Sequence, residues 1–313
     1  MKTANLGYAS HDGTSRIRAL LWQPDKTGAA PRGIVQIVHG MAEHIERYAP
    51  FAEYLVDQGF VVCANDHVGH GESAQSPDLL GHIPLENGAE VLVEDVHELR
   101  NLVASRYART VPYVIFGHSM GSFVTRTYLT EHAEGLAAAV LCGTGQQPRM
   151  LSRAGNMVSR AIAGFKGEQY RSPFVDSLGA GSFSKAIPDA RTEVDWISTD
   201  PAVVDEYRAD PACGQMFTVG GYASLTALTL AATDASRARR VPSDLPLLFV
   251  AGAQDPVGDC GAGVRKAAEE YRHAGVKSVD VKLYEGMRHE ILNEPDKARV
   301  YADVNEWLAS KGI

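Results

Sequence analysis

Cysteine is scarce in this chain, four residues in 313 at positions 63, 142, 213 and 260, with no C-x-x-C spacing. That argues against a disulfide framework. Cys63 and Cys142 sit inside apolar runs and read as buried reduced thiols. Positive charge is also short. Thirty Lys and Arg stand against 38 Asp and Glu, a formal net charge of −8. Such a balance gives no reason to bind nucleic acid and opposes long-range attraction to anionic lipid. No apolar run nears the ~18 residues that a membrane span needs. The opening stretch MKTANLGYASHDG lacks the apolar core of a signal peptide. Internal repeats and low-complexity segments are missing too. The expected setting is soluble, reducing and cytoplasmic.

What is there is an alternation. The chain is 45 % hydrophobic and 22 % charged, an ordinary globular balance. Short apolar runs at 33–38 (GIVQIV), 60–64, 113–117 (YVIFG), 136–142 and 245–252 read as strands buried on both faces. Between them, residues 47–59, 88–107 and 121–133 carry apolar side chains at helical spacing. Strand alternating with helix implies an α/β fold, a mostly parallel sheet flanked by helices. A strand at 15–24 fits an antiparallel edge, and 279–286 and 296–310 close the chain as strand and helix.

The rhythm breaks between 148 and 236. That stretch holds helical pieces such as RMLSRAGNMVSRAIAGF and a loop-like RSPFVDSLGAGSFSKAIPDA, with no convincing buried strand. It is longer than an ordinary connection. The expected organisation is a core of residues 1–147 and 237–313, interrupted by a largely helical lid at 148–236. RARR (237–240) reads as a solvated return linker.

Chemistry concentrates around GHSMGS (117–122). Gly-x-Ser-x-Gly arises by chance in a chain with 30 glycines, so its context must decide. Here a strand runs into it and a helix follows, the setting of a nucleophile elbow that lifts Ser119 above the sheet. A serine hydroxyl needs a base and an orienting acid, which on this architecture follow in the order acid, then His. Asp255 stands just past the strand LPLLFVAG, and His289 just past VDVKLYEG. Asp259 is the rival acid; Asp255 is preferred because it lies nearer its strand's end. Charge developing on the substrate oxygen needs backbone donors. Met120, after the nucleophile, supplies one N–H, and Met41, in the HGMAEH loop after GIVQIV, the second.

These pieces resemble a family. HGMAEHIERY (39–48), NDHVGHGES (65–73), FGHSMGS (116–122), AGAQDPV (251–257), YEGMRHE (284–290) and RTEVDWISTDP (191–201) are similar, in order, to the α/β-hydrolases of the monoacylglycerol lipase and lysophospholipase group. The resemblance implies the α/β-hydrolase fold and a Ser119–Asp255–His289 triad, with Met41 and Met120 as the oxyanion hole. It implies a small-molecule acyl ester as substrate, and no metal or cofactor. Glu43 and Arg47 match residues that line the family's polar alcohol pocket. Ile197 and Leu292 replace a tyrosine and a histidine there, so the substrate-binding surface on the alcohol side is expected to be more apolar.

Asp66, His67 and His70 lack a metal-ligand spacing and read as structural support beneath the site. In 149–166, Met150, Leu151, Ala154, Met157, Val158, Ala161, Ile162 and Phe165 share one face, with Arg153 and Arg160 roughly opposite. That face reads either as an acyl-tunnel wall or as an ordinary face packed on the core. At most it allows transient contact with lipid aggregates. Thioesterase, amidase or peptidase activity and a non-catalytic ligand-binding role stay open as alternatives. A carboxylate-nucleophile hydrolase does not, because a serine stands at the elbow. The oligomeric state is not legible.

Overall fold

The apolar runs pair into one sheet. The computed structural model describes residues 1–25 and 30–313. Its strands are β1 (Lys2–Ala9), β2 (Arg16–Gln23), β3 (Ile34–Val38), β4 (Val61–Asn65), β5 (Tyr113–His118), β6 (Ala138–Cys142), β7 (Leu247–Gly252) and β8 (Val279–Tyr284). They lie in the order β1-β2-β4-β3-β5-β6-β7-β8. β3 to β8 run parallel, and β2 is antiparallel to both β1 and β4. β1 was not anticipated. It is a mostly exposed edge strand turning only Ala4, Leu6 and Tyr8 inward, too faint an alternation to read.

The helices are α1 (Ala49–Asp57), α2 (Gly88–Ala104), α3 (Met120–Tyr128), α4 (Arg149–Lys166), α5 (Pro173–Leu178), α6 (Pro201–Ala209), α7 (Val219–Ala232), α8 (Ala235–Ala238), α9 (Ala262–His273) and α10 (Lys297–Ser310). Successive strand residues point to opposite faces, so the strands feed two cores. Ile34, Ile115, Leu141 and Phe249 pack with α2, α3 and α9. Val35, Phe116, Val140 and Val250 pack with α1 and α10. Gln36 is the polar exception inside β3. It is fully buried, donates to the Val96 carbonyl (2.8 Å) and accepts from the Tyr113 hydroxyl (2.7 Å).

Between β6 and β7, the described residues form helices and turns with no strand. α7 is apolar nearly all round and is buried against α3 and α4, as such a helix must be. The stretch read as a loop at 171–190 contains α5 and a 3₁₀ turn at Ala180–Ala186. Pro173 in the first turn and the Ser172 side chain, which accepts from the Val175 N–H (3.4 Å), start that short helix. The expected return to the core at 237 falls inside α8, whose Ala238 already packs into the core.

α4 departs from its expected orientation. Its buried residues are Ser152, Ser159 and Ala163, and it meets α7 through small and polar groups. Asn156 donates to the Ala223 carbonyl (2.7 Å), and Thr229 donates to Ser152 (3.1 Å). Small residues let two helices approach closely, and that contact decides the rotation of α4. Its apolar face is thereby split. Leu151, Ala154 and Val158 border a cavity, with Leu151 still 54 % exposed, whereas Met150 (83 % exposed), Met157 (72 %) and Phe165 (92 %) face outward. Among the described residues, no helix is long and apolar enough to cross a membrane.

Candidate active site

Ser119 lies between β5 and α3, at the carboxyl edge of the sheet. Its backbone is forced to φ +53°, ψ −121°, a region L-residues avoid. The turn closes through the Ser119 N–H to the Cys142 carbonyl (2.9 Å) and the Ser122 N–H to the Ser119 carbonyl (2.8 Å). Two glycines are required. A β-carbon on Gly121 would collide with the carbonyls of Val38 and His39, and one on Gly117 with the backbone of Gly121. Met120 is the first residue of α3, so its N–H has no partner within the helix.

The loop after β3 runs alongside. A β-carbon on Gly40 would come within 3.0 Å of the Ser119 β-carbon. Met41, Ser119 and Met120 line the same cavity of about 660 Å³, together with His289. Ala42 holds a left-handed φ of +52°. Two groups of the insertion fix it there: its carbonyl accepts from the Tyr207 hydroxyl (2.9 Å) and the Gly214 N–H (2.9 Å).

Asp255 follows β7 and is fully buried. One carboxylate oxygen accepts from the Val257 N–H (2.9 Å), and the other lies 2.9 Å from His289 Nδ1. That contact orients the imidazole and fixes its tautomer, with Nδ1 donating to the carboxylate. Nε2 is buried with no hydrogen-bond partner. Burial pulls the His289 imidazole's pKa down, but Asp255 beside it, then Glu290 and Glu43, raise it above the ordinary 6.5. Asp259, the rival acid, is exposed in a left-handed turn and pairs with no histidine. Gly143 leaves the imidazole room, since a β-carbon there would come within 3.0 Å of it.

A buried charge cluster closes the polar end. Arg47 binds Glu290 through two parallel contacts (2.6 and 2.7 Å) and reaches Glu43 at 3.0 Å. Its guanidinium lies 4.9 Å from the centre of the Tyr207 ring. Glu43 also accepts from the Gly40 N–H (2.5 Å) and the Tyr48 hydroxyl (2.6 Å), so it braces the loop that carries Met41. Burial pushes the Glu43 carboxyl up, over the pull of Arg47. Burial would raise Glu290 as well, but Arg47's two contacts hold it below its ordinary value.

The sequence reading placed four residues on the substrate surface, and the structure divides them. Glu43 and Ile197 line the cavity. Arg47 stands behind it, engaged with the two carboxylates. Leu292 is not there at all: the chain turns after Glu290 and buries Leu292 in the core packed against α10. Glu290, Tyr207 and Trp196 line the cavity and were missed. Glu290 had a legible signal, its place directly after His289, and Trp196 had one in the family-like stretch RTEVDWISTDP, whereas Tyr207 arrives from the insertion and had none.

His39, His67 and His70 form a buried group with ring centroids 4.2 to 6.1 Å apart. Burial drives His67 to about 3 and His70 to about 4. The His67 N–H donates to His39 Nε2 (2.9 Å), and Asp66 accepts from the N–H groups of Ile45 and Glu72. That loop holds the region beneath the site. His44, Asp210 and Cys213 bring possible ligand atoms within 4.8 Å of one another. His44 and Asp210 already pair at 2.8 Å, however, and burial pushes the Cys213 thiol far up, away from a ligating thiolate.

A mostly parallel eight-stranded sheet, helices on both faces and a serine elbow with a His–Asp pair at the strand ends define an α/β-hydrolase. The family model described as serine aminopeptidase, S33 (Hydrolase_4) matches residues 29–296, and the chain belongs to that family. A monoacylglycerol lipase of Mycolicibacterium smegmatis is 31 % identical over 303 residues, covering 95 % of this chain and 94 % of the relative. The mouse monoglyceride lipase is 26 % identical over 293 residues, covering 93 % and 86 %. A solved Bacillus coagulans carboxyl esterase in complex with glycerol superposes with a TM-score of 0.91 at 32 % identity, over 100 % of both chains. The Saccharomyces cerevisiae monoglyceride lipase shares the fold, with a TM-score of 0.76 at 18 % identity over 98 % and 94 %. The chain is a hydrolase of the esterase and lipase group.

Proposed function

We propose that the protein cleaves carboxylic esters of monoacyl lipids through Ser119, His289 and Asp255. The observation that carries this is one geometry: a serine strained outward into a cavity whose wall includes an imidazole tied to a buried carboxylate, with Nε2 unpartnered. His289 takes the Ser119 proton as the oxygen attacks the ester carbonyl, and Met41 and Met120 N–H groups receive the oxyanion. His289 then protonates the leaving alcohol. Water, activated by the same imidazole, releases the acid from the acyl-enzyme.

Residues 148–236 act as the lid. Leu151, Val158 and Leu225 give the cavity an apolar wall fit for an acyl chain. The outward stripe Met150, Met157 and Phe165, with Phe174 and Leu178 beside it, forms an apolar patch that meets lipid aggregates. Glu43, Asp176, Glu193 and Glu290 line the cavity, and among the described residues no Lys or Arg does. This favours an uncharged alcohol such as glycerol over a phosphate-bearing one.

The test is a substrate series. Within p-nitrophenyl esters, kcat/KM rises about fourfold per methylene until the cavity fills, the kinetic form of about 0.8 kcal/mol per buried CH₂. Monoacylglycerol is turned over at least tenfold better than the lysophosphatidic acid of the same chain. Preference for an aminoacyl p-nitroanilide over every ester would overturn the reading in favour of a peptidase.

A further inference from the structure

Two aromatic rings contact the His289 imidazole. His118, the residue before Ser119, packs at 4.7 Å between ring centroids and Trp196 at 5.0 Å, with interplanar angles of 44° and 47°. Trp196 belongs to the insertion, lines the cavity, and is backed by Phe183 at 5.0 Å. Its placement is not left to the side chain. The His289 N–H approaches the Trp196 carbonyl (3.4 Å), and the Glu290 N–H donates to the Ile197 carbonyl (2.7 Å). Arg288 ties down the same segment from its other side, donating to the carbonyls of Asp195 (2.6 Å) and Ser198 (2.9 Å).

We propose that Trp196 is a positioning residue for His289: the indole holds the imidazole in register between Asp255 and Ser119 and favours its protonated form during turnover. The inference rests on the catalytic role of His289 put forward above. In both half-reactions the imidazole becomes a cation after taking a proton at Nε2, from Ser119 or from water. It returns to neutral on giving that proton to the leaving alcohol or to Ser119. A cation against the face of an indole is attracted by the ring's negative quadrupole, and the attraction grows where water is excluded. A neutral imidazole gains little from the same contact. The effect is therefore weighted toward the charged state, where it accelerates the reaction.

The other charges facing His289 are accounted for. Asp255 comes from the β7 loop, and Glu43 with Arg47 from the segment after β3. Glu290 is its own neighbour, and His118 comes from β5. Burial drives His118 well below its ordinary value, and His289 lowers it further, so it stays neutral and does not compete for the proton. Asp255 remains the main partner of the cation. Trp196 adds to that term rather than replacing it.

The experiment pairs kinetics with spectroscopy on the full-length protein. The pH profile of kcat/KM for a soluble short-chain ester is measured for wild type, Trp196→Leu and Trp196→Phe. With leucine the acid limb moves down by about half a pH unit and the plateau falls about fivefold. Phenylalanine, which keeps a ring, restores most of both. Imidazolium quenches indole emission on contact. The wild-type minus Trp196→Phe fluorescence difference therefore falls as pH drops, with the midpoint of the acid limb, and His289→Gln abolishes that titration. An acid limb unmoved in Trp196→Leu, or a fluorescence difference flat in pH, overturns the inference. If the leucine variant does not fold, the wild-type and His289→Gln titrations decide alone. Activity retained in His289→Gln would instead sink the proposed role of His289.

Discussion

Every residue of β3 to β7 is buried, whereas on α4, the longest helix of the insertion, only Ser152, Ser159 and Ala163 are. The sheet is held by apolar area on two faces. The insertion is held by α7, buried against α3 and α4, and beyond that helix by named polar links. Tyr207 and Gly214 hold Ala42, and Arg288 and Glu294 hold residues 195–199. His44 pairs with Asp210, and Arg171 donates to the Leu80 carbonyl (2.6 Å). Specific bonds do not demand that large side chains be hidden. The insertion therefore turns apolar surface outward and inward to the cavity, which the core cannot do without losing about 1.5–3 kcal/mol per large side chain.

The contrast breaks most severely at the sheet's edge. Ser119→Ala is expected to lower kcat by at least about 10⁴-fold, with an unchanged urea transition, because only an oxygen facing a cavity is lost. Asp255→Asn loses about 10³ to 10⁴-fold, since an amide neither stabilises the imidazolium nor fixes its tautomer. Asp259→Asn stays within about twofold, and a reversed ranking in steady-state assays would reassign the acid.

A second comparison sets a buried ion pair against an exposed one. Arg47→Met strands Glu43 and Glu290 in the interior and should cost about 3–5 kcal/mol in equilibrium unfolding. Arg191→Ala removes an exposed pair with Asp205 on the insertion and should leave the unfolding midpoint where it is. Equal effects would mean that burial does not set the worth of these pairs.

The outward stripe gives the third test. Met157→Gln with Phe165→Gln should lower turnover of a long-chain monoacylglycerol on vesicles about tenfold. Turnover of a soluble butyrate ester should stay within about twofold and unfolding within about 0.5 kcal/mol. A monomer-to-dimer change on the same substitutions, read by sedimentation, would assign the stripe to a second copy of the chain instead.

The smallest effect is in pH. His289 must be neutral to accept the serine proton, and its raised value places the acid limb of kcat/KM above 6.5. Activity is lost as pH falls through that point. The buried histidines His67 and His70, at about 3 and about 4, stay neutral throughout and add no second limb.

What the sequence made legible follows the same division. β3 to β7 stand out because burial on both faces leaves continuous apolar runs. Ser119, Asp255 and His289 each sit just past a strand, so strand order alone brings them near one another. Met41 follows from the same rule. Arg126 was invisible: one arginine on an amphipathic helix reads as solvated, yet it is fully buried, donating to the carbonyls of Gly145 and Ala232 at 2.7 Å each. Leu292 went astray because the backbone reverses between His289 and Asn293, which no hydrophobic pattern records. The outward turn of α4 was hidden for a physical reason. An amphipathic helix does not say which stripe its neighbour will take, and α7 takes the small one.

The backbone at Ser119 has a consequence for evolution in the test tube. A side chain held at φ +53° costs on the order of 1–3 kcal/mol, and glycine relieves most of that at an entropic cost below 1. Folding alone would choose glycine at position 119. A library screened only for heat resistance would therefore enrich clones that have discarded the proposed nucleophile. Selection for ester cleavage is what keeps a hydroxyl at a place where the chain would fold better without it.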